Sequence, residues 1–434
     1  MILASDPRLT ELQQQIGPEA FCSVVEGEAD WSPSLQGAVS TPIPSVVIAP
    51  ATVSELAEVQ QWCARHQLPV LIAGRGSKLH WGDPVQGPEV ILSTQRMANL
   101  IDHAAADLTV TVAAGMPLQE LQTQLAHQGQ FWPVNPLYLS NATVGGILAT
   151  ADAGSWRHRY GSVRDLLLGI TLVRADGAVA KAGGRVVKNV AGYDLMKLMT
   201  GSWGSLGILA EVTLRLYPLP EARQSWVLVG DPQAVEALRS RLLASALMPA
   251  GLDLLSPSLL APWEGRAGEV GLVVSFHGLQ ESLEEQGQRL LQWAQDLSLR
   301  SQDLQEGEGL DQHLQKTFQD QVSRPGLAKL GVLPSQAVAL LNRLVQEDPD
   351  GWVQIHAGCG IGRWRWHPNT WTAAALTTLQ RQLQAQQGYF KLLEAPLDLK
   401  QQLLWQPPDP VQHSLWQRLK SQFDPQHLLN PGRL

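Results

Sequence analysis

The chain contains 434 residues, of which 44% are hydrophobic and 17% are charged, and its formal net charge is −8. This length predicts two or three domains, and the low charged fraction argues against long disordered tails. The negative charge disfavours nucleic acid as a main partner, because binding a phosphate backbone requires clustered lysine and arginine.

The first half of the chain is predicted to form an N-terminal segment over residues 1–40 and a domain over residues 41–220 in which strands and helices alternate. Short apolar runs predict buried strands at Val46–Pro50, Pro69–Ala73, Leu108–Ala114 and Gly207–Tyr217. Thr52, with Glu55 three residues later, is a capping box and predicts the start of a helix. Asp176 and Gly177 lie between two apolar runs and predict a hairpin.

The residues from 221 to 395 have a different pattern and are predicted to form a second domain. Strands are expected at Trp226–Val229, Val270–Phe276 and Gly351–His356. Glutamine-rich amphipathic helices are expected over about 280–297 and 370–387. This order predicts an antiparallel sheet with helices on one face, an α+β domain. Gln302 to Asp311 is expected to be a loop, and residues 396–434 a C-terminal segment.

The three cysteines limit the redox groups that the chain can hold by itself. Cys22, Cys63 and Cys359 are scattered and form no C-x-x-C motif. Three thiolates cannot supply the usual four ligands of an iron–sulfur cluster or of an all-cysteine zinc site. We expect buried free thiols in a reducing compartment.

The apolar pattern of the sequence indicates neither a secretory signal peptide nor a membrane span. The first residues show no basic stretch followed by a long apolar stretch, so no signal peptide is predicted. The best apolar run, Leu166–Val173, has the length of a strand. We expect a cytoplasmic protein, or one peripheral to a membrane through partners, with no direct membrane insertion.

Two glycine-containing runs, Ile72–Gly82 and Asn141–Thr150, have the composition of the two halves of a phosphate cradle. Glycine has no Cβ, so backbone N–H groups can approach a pyrophosphate closely. A third run, Asn189–Ile208, follows in the same half of the chain. Commoner nucleotide motifs do not fit, because Leu79 stands where the dinucleotide fingerprint requires glycine or alanine and where the Walker loop requires glycine. Taken alone, the first loop indicates an ordinary turn after a strand more than it indicates a phosphate site.

The order of these runs carries a family resemblance. After the first loop come Asn141–Thr150, Arg159–Asp165, Gly192–Leu195 and Gly204–Thr213. The combination resembles the vanillyl-alcohol oxidase/p-cresol methylhydroxylase flavoprotein family over about residues 40–220, and Asp424–Arg433 resembles the C-terminal return of that family to the flavin. Within the family, Lys188–Leu195 is most similar to the E-type FAD-binding subunits of glycolate oxidases. The resemblance implies a two-subdomain FAD-binding domain of the p-cresol methylhydroxylase type.

The resemblance also implies which residues bind the flavin. The resemblance implies that the pyrophosphate lies between a loop and an opposing wall. The loop consists of Gly74, Arg75, Gly76, Ser77 and Lys78, and the wall consists of Thr143, Val144, Gly145 and Gly146. The resemblance places Ile208 beside the adenine or ribose, and Asn430 and Arg433 near the isoalloxazine. Relatives with covalent flavin carry a histidine at the position of Ser77, so noncovalent FAD is expected. His80 is interpreted as an ordinary hydrogen-bonded loop histidine.

The catalytic residues are not identified by the resemblance. Related D-2-hydroxy-acid dehydrogenases hold a divalent metal with His-x6-His on a strand and a later Glu-His pair. Here His356 matches the first position, but Arg363 replaces the second histidine and Glu394 is followed by Ala395. One imidazole does not make a metal site, so no metal is expected and His356 is interpreted as a hydrogen-bonded strand residue. Arg363 could instead pair with a substrate carboxylate.

The function that these features imply is oxidation of a small 2-hydroxy acid to a 2-oxo acid through flavin. Because the chain lacks the metal ligands and any cluster ligands, it is expected to work in a complex with a paralogous flavin subunit and an iron–sulfur subunit. Two alternatives remain at this point. The chain could be a self-sufficient FAD-dependent oxidoreductase with another substrate, or a structural subunit with little catalysis of its own.

Overall fold

The computed structural model describes residues 6–24, 31–40, 42–185, 192–263, 265–304, 309–367, 369–403 and 410–433. The helices are α1 (Pro7–Ile16), α2 (Ser32–Leu35), α3 (Val53–Arg65), α4 (Leu118–Ala126), α5 (Val144–Thr150), α6 (Arg157–Tyr160), α7 (Leu195–Met199), α8 (Pro232–Leu243), α9 (Gln280–Asp296), α10 (Leu310–Phe318), α11 (Ala337–Glu347), α12 (Ala373–Ala385), α13 (Leu397–Gln402) and α14 (Pro410–Phe423).

The strands are β1 (Phe21–Ser23), β2 (Val46–Ile48), β3 (Val70–Ala73), β4 (Val90–Ser93), β5 (Leu100–Ala104), β6 (Thr109–Ala113), β7 (Gln130–Phe131), β8 (Leu167–Val173), β9 (Val179–Gly183), β10 (Ile208–Arg215), β11 (Tyr217–Pro218), β12 (Ala222–Gly230), β13 (Gly251–Leu255), β14 (Val270–Gly278), β15 (Arg300–Leu304), β16 (Gly326–Gly331), β17 (Trp352–His356), β18 (Ile361–Trp366) and β19 (Tyr389–Glu394). The chain divides into two compact units: unit 1 takes the described residues of 1–153, 162–219 and 406–434, and unit 2 those of 154–161 and 220–405.

Unit 1 contains two main sheets with separate cores. A four-stranded sheet has the order β1-β2-β4-β3, with β2, β4 and β3 parallel to one another. A five-stranded antiparallel sheet has the order β5-β6-β10-β8-β9. The Thr52 hydroxyl accepts a hydrogen bond from the Glu55 N–H at 3.1 Å and begins α3, as its capping sequence predicts. The turn between β8 and β9 contains Gly177 at φ +79°, which a glycine adopts without strain.

The end of the chain extends the four-stranded sheet beside β3. The N–H of Val70 donates to the Leu428 carbonyl at 2.8 Å, and the N–H of Asn430 donates to the Val70 carbonyl at 3.0 Å. The Asn430 side chain continues this pairing, because its Oδ1 accepts from the N–H of Ile72 at 2.8 Å. Its Nδ2 donates to the carbonyl of Trp203 at 2.6 Å. One side chain thus joins two chain segments that are distant in sequence.

A buried ion pair holds this end of the chain in place. The Lys420 ammonium donates to Asp424 at 2.6 Å and to the carbonyls of Ser205 and Leu429 at 2.8 and 2.7 Å. The Asp424 carboxylate also accepts from the N–H groups of Leu428 and Leu429. Burial lowers the pKa of Lys420, while the hydrogen bond and the charge of Asp424 oppose that shift. Every charge of the pair is therefore compensated by a hydrogen bond.

Unit 2 is built on one eight-stranded antiparallel sheet, with the order β15-β12-β14-β13-β17-β18-β16-β19. Alternate residues point to opposite faces of a strand. One face is apolar, includes Leu254, Ile355 and Trp364, and packs against α8, α9, α11 and α12. The opposite face, here termed the polar face, carries the alternate side chains Asp253, Lys329, Gln354, His356, Arg363 and Lys391.

The structure changes one prediction about this second half and leaves another outside the described residues. The segment Gln302 to Asp311 was predicted to be a loop, but β15 extends to Leu304 and α10 begins at Leu310. Three of the five residues of β15 are exposed, so the strand shows no apolar alternation from which to predict it. Residues 188–191 of the Lys188–Leu195 run lie outside the described residues.

None of the helices in the described part of the chain combines the length and the apolar composition that are needed to cross a membrane.

Removing the Asp424 charge should strongly destabilise unit 1, because the ammonium of Lys420 would remain buried without its counter-charge. We expect Asp424→Asn to lower the free energy of unfolding by about 3–5 kcal/mol. The matched control is Asp194→Asn, which removes the exposed partner of Lys197 (2.6 Å) and should cost less than about 1 kcal/mol. Urea unfolding followed by tryptophan fluorescence measures both. Equal losses in the two variants would contradict the prediction.

Candidate functional site

A cleft in unit 1 opens between the loop that follows β3 and the start of α5. Its open volume, partly continuous with solvent, is about 770 Å³. Nine of the residues predicted to bind the cofactor line it, namely Gly74, Arg75, Gly76, Ser77, Lys78, Thr143, Gly145, Gly146 and Arg433. The two glycine-containing runs, about 70 residues apart in the sequence, therefore meet at one cleft.

The first wall is the loop that β3 delivers to the cleft. The Gly74 carbonyl accepts a hydrogen bond from the Ser93 hydroxyl at 2.7 Å, which fixes the loop to the end of β4. A Cβ on Gly74 would overlap the side chain of Thr143. Gly76 has φ +80°, a conformation that L side chains rarely adopt. The loop therefore requires glycine at both positions for reasons of close approach and backbone conformation.

The opposing wall is the first turn of α5. The Thr143 hydroxyl oxygen accepts from the N–H of Gly146 at 3.2 Å, so Thr143 caps the helix. A Cβ on Gly145 would lie 2.9 Å from both the carbonyl oxygen and the Cβ of Ala114. A Cβ on Gly146 would meet only the Thr143 hydroxyl, at 3.1 Å. Gly145 thus packs the helix against the protein, whereas Gly146 keeps the cleft itself open.

The lysine of the first loop is already paired. The Lys78 ammonium lies 2.7 Å from a carboxylate oxygen of Asp152, and both side chains are largely buried. The same oxygen accepts from the N–H of Leu137 at 2.9 Å. The ammonium also lies over the ring of Trp81, 5.1 Å from its centroid. The positive charge of Lys78 is consequently balanced within the protein.

Arg433 supplies a buried positive charge at the cleft. Its guanidinium donates to the carbonyl of Leu79 and so connects the C-terminal segment to the first loop. Burial lowers the pKa of Arg433 to about 10, while the charge of Asp83 opposes the shift. Among the described residues, the Nε–H of Arg433 has no hydrogen-bond acceptor. A buried donor without an acceptor is costly, and an acceptor from a bound molecule would satisfy it.

The other three predicted residues do not line the cleft. Val144 and Ile208 are fully buried in the cores of unit 1. Gly207 and Leu209, on either side of Ile208, line the cleft instead, as the period of two in a strand requires. Asn430 lies behind the first loop, where its side chain bonds Ile72 and Trp203.

Several residues outside the predicted set also line the cleft. Trp203, Ser202 and Thr94 belong to this group. Trp203 has φ +56°, so it lies in a turn that a non-glycine residue rarely adopts. It belongs to the Gly-Ser-Trp-Gly part of the third run, and the glycines of that run were the sequence signal that could have identified it. His80 forms a hydrogen bond with the Tyr138 hydroxyl at 3.1 Å.

The residues that match positions of the metal ligands in D-2-hydroxy-acid dehydrogenases each have a different partner in this chain. The Nδ1 of His356 lies 2.5 Å from Asp253, and Glu394 pairs with Arg365 at 2.6 Å. Within the described ranges, no group of three or more histidine, cysteine, aspartate or glutamate side chains is arranged to hold a metal ion. The three cysteines are free thiols, and only Cys63 is fully buried.

Comparison with known proteins gives this geometry a family context. Residues 44–183 match the family FAD_binding_4, the FAD binding domain, which indicates FAD as the cofactor. The chain is 31% identical over 271 residues to glycolate oxidase subunit GlcD of Bacillus subtilis (strain 168), covering 61% of this chain and 56% of that protein. It is 39% identical over 158 residues to glycolate oxidase subunit GlcE of Escherichia coli (strain K12), covering 36% and 45%.

A third relative is a probable mitochondrial D-lactate dehydrogenase of Danio rerio, with 31% identity over 279 residues, 59% of this chain and 56% of that protein. The chain thus spans about half the length of the curated relatives that it matches. Among solved structures, p-cresol methylhydroxylase with bound substrate has a TM-score of 0.72 at 16% identity, covering 98% of this chain and 96% of that one. An alkyldihydroxyacetonephosphate synthase has a TM-score of 0.70 at 15% identity, covering 99% and 86%. The predicted α+β fold of the p-cresol methylhydroxylase type, with an antiparallel sheet in the second domain, is confirmed.

Proposed function

We propose that this chain is the FAD-binding E-type subunit of a glycolate oxidase/dehydrogenase-like complex, in which a small 2-hydroxy acid is oxidised to a 2-oxo acid. The observation that carries the proposal is the cleft of unit 1, whose two glycine walls lie in the segment that matches an FAD binding domain. The Nε–H of Arg433, which has no acceptor among the described residues, belongs to the same cleft. Relatives named as acting on glycolate and D-lactate support the substrate class.

The residues of the cleft have distinct tasks in this proposal. The first loop offers the backbone N–H groups of Gly74–Ser77 to the diphosphate, since Gly74 and Gly76 place no side chain beside it. The N–H groups of Gly145 and Gly146 donate to the Ala114 carbonyl at 2.7 Å and to the Thr143 hydroxyl at 3.2 Å, so the opposing wall contributes open space for the diphosphate. The hydroxyl of Thr143 uses its oxygen to cap α5 and keeps its proton to donate. Arg433 donates its Nε–H to a flavin oxygen or nitrogen. When bound, FAD supplies an acceptor for the hydride that leaves the 2-hydroxy acid.

The FAD should be noncovalent, because the first loop carries Ser77 where covalent relatives carry histidine and because His80 is bonded to Tyr138. Acid precipitation of the purified chain is expected to release all of the yellow colour as FAD, measured by absorbance and chromatography of the supernatant. Flavin that stays on the precipitate would refute a dissociable cofactor.

Gly146→Leu should abolish FAD binding while leaving the fold intact. A Cβ at this position meets only the hydroxyl of Thr143, at 3.1 Å, so the longer side chain extends into the cleft. The substitution removes a glycine from a helix, which by itself stabilises the helix by about 0.5–1 kcal/mol. The expected result is a colourless protein with unchanged or higher stability, measured by flavin absorbance and urea unfolding.

Two further variants distinguish an effect on FAD binding from an effect on the stability of the fold. Gly145→Leu should lower stability itself, because Ala114 lies 2.9 Å from the added Cβ. Gly278→Leu, at the end of β14 with only a Leu283 methyl at 3.9 Å, is the matched control and should keep both flavin and stability. A yellow Gly146→Leu variant would contradict the proposed position of the diphosphate.

The partners in this proposal are a paralogous flavin subunit and an iron–sulfur subunit. Relatives named as the GlcD and GlcE subunits of glycolate oxidase support a complex of more than one flavin chain. Cys22, Cys63 and Cys359 are too few for a four-thiolate cluster, so electrons leave through another protein or a diffusible acceptor. We place the complex in the cytoplasm, or at a membrane surface through its partners.

The isolated chain should reduce its flavin slowly with glycolate or lactate, and co-expression with a cluster-bearing subunit should raise the turnover rate. Anaerobic stopped-flow absorbance measures the first, and dye reduction at steady state measures the second. Rapid flavin reduction by the partner-free chain would favour a self-sufficient oxidoreductase. Full FAD content without reduction in either preparation would favour a structural subunit.

A further inference from the structure

The cleft of unit 1 has one aromatic side chain in its lining. Among the described residues that line the cleft, Trp203 is the only aromatic one. The rest of the lining is made of glycines, small polar residues, aliphatic residues and three cations. FAD brings flat ring systems to its site, and flat rings pack favourably against aromatic side chains. Trp203 is therefore the lining residue best suited to contact a ring of the cofactor.

The backbone of Trp203 has a conformation that a side chain of this size rarely adopts. Its φ is +56°, and the next residue, Gly204, has φ +72°. Hydrogen bonds on both sides of Trp203 fix this turn. Its N–H donates to the Ala149 carbonyl at 2.9 Å, and its carbonyl accepts from the Nδ2 of Asn430 at 2.6 Å. Strained backbone that the surrounding structure maintains is concentrated at ligand sites, so this turn indicates a functional position for the indole.

Two glycines make room for this arrangement. A Cβ on Gly82, which has φ +73°, would lie 3.4 Å from the indole of Trp203. A Cβ on Gly204 would lie 2.8 Å from the Nδ2 of Asn430. The indole thus packs against the backbone at Gly82, and the amide of Asn430 reaches the Trp203 carbonyl because Gly204 has no side chain. These contacts hold the indole in one place beside the cleft.

The C-terminal segment connects Trp203 with the buried cation of the cleft. Asn430, which bonds Trp203, lies three residues before Arg433, whose guanidinium donates to the Leu79 carbonyl. The indole in turn lies against Gly82, three residues after Leu79. Both side chains therefore lie at the far end of the first loop, beyond the part assigned to the diphosphate. A flavin ring that meets Arg433 at this end also meets Trp203.

We propose that the indole of Trp203 packs against the isoalloxazine ring of FAD, and that Asn430 is the positioning residue that holds it there. The identity of the ligand rests on the function proposed above. Asparagine suits this task because it tolerates a positive φ, here +43°. Its side-chain amide also offers an acceptor to the N–H of Ile72 and a donor to the carbonyl of Trp203.

The test uses the fluorescence of the bound flavin. An indole in contact with an excited isoalloxazine donates an electron to it and then recovers that electron, which quenches the emission, whereas phenyl and alkyl side chains do not. Trp203→Phe keeps an aromatic contact, so it should retain FAD like the wild type, with a several-fold higher emission per bound FAD. Trp203→Leu should show the same rise and bind FAD about tenfold less tightly, because the stacking contact is lost.

The measurements are made on the full chain with its cofactor. Emission is divided by the amount of FAD that is extracted from the same sample, and affinity is measured by the release of FAD on dilution. The matched control is Trp293→Phe, which changes a half-buried tryptophan of α9 in unit 2 that lies 4.4 Å from the guanidinium of Arg241. It should change neither the emission nor the retention of FAD.

Asn430→Asp tests the positioning role. Aspartate also tolerates a positive φ and keeps an acceptor for the N–H of Ile72, but it removes the donor to the Trp203 carbonyl and places a carboxylate against it. The emission per bound FAD should rise towards that of Trp203→Phe, although Trp203 is still present. A merely structural role would lower stability and FAD content and leave the emission of the remaining bound flavin unchanged.

The outcomes distinguish this inference from the proposed function. Unchanged emission in both Trp203 variants would overturn the contact, and weaker FAD binding with unchanged emission would place the indole against the adenine and overturn it as well. Unchanged emission in Asn430→Asp would overturn the positioning role. Quenched FAD that neither glycolate nor lactate reduces, in the isolated chain or the co-expressed complex, would overturn the proposed function alone. Reducible FAD with unchanged emission in every variant would overturn this inference alone.

Discussion

The cleft depends on the attachment of the chain's C-terminal segment to β3. Leu428 and Asn430 bond Val70 from the edge of the sheet, and the strand then continues directly into the first glycine loop. The Lys420–Asp424 pair fixes the turn that aligns this segment, since Asp424 accepts from two of its N–H groups. Arg433, three residues further on, reaches the loop itself. Residues more than 350 positions apart therefore form one wall.

Much of the fold could be predicted because the signals are local. The capping box at Thr52 and the hairpin at Gly177 each depend on residues a few positions apart, and each appears where its pattern predicts. The order of the eight strands in unit 2 has no such signal, since most neighbours there are distant in sequence. β15 is an exposed edge strand, so its composition resembles that of a loop.

The residues of the candidate site also divide into those that could be predicted from the sequence and those that could not. That the glycines of both walls line a cleft could be predicted, because a close approach excludes side chains and the sequence displays directly where side chains are absent. The face of β10 that lines the cleft could not be predicted, because a shift of one residue exchanges the two faces of a strand. The prediction named Ile208, whereas Leu209 lines the cleft. The partner of Lys78 could not be predicted either, because Asp152 lies in no recognisable motif.

The pairing of Lys78 with Asp152 determines how a bound diphosphate would respond to salt. With that ammonium balanced, the cleft attracts an anion through backbone N–H dipoles, through Arg433, which is 6% exposed, and through the exposed Arg75. Dissolved ions screen exposed charges over about 8 Å at physiological ionic strength and screen buried ones much less. Retention of the cofactor should therefore respond to ionic strength mainly through Arg75, an exposed cation of the cleft. Unfolding of unit 1, which removes both glycine walls, would release the cofactor more readily than concentrated salt.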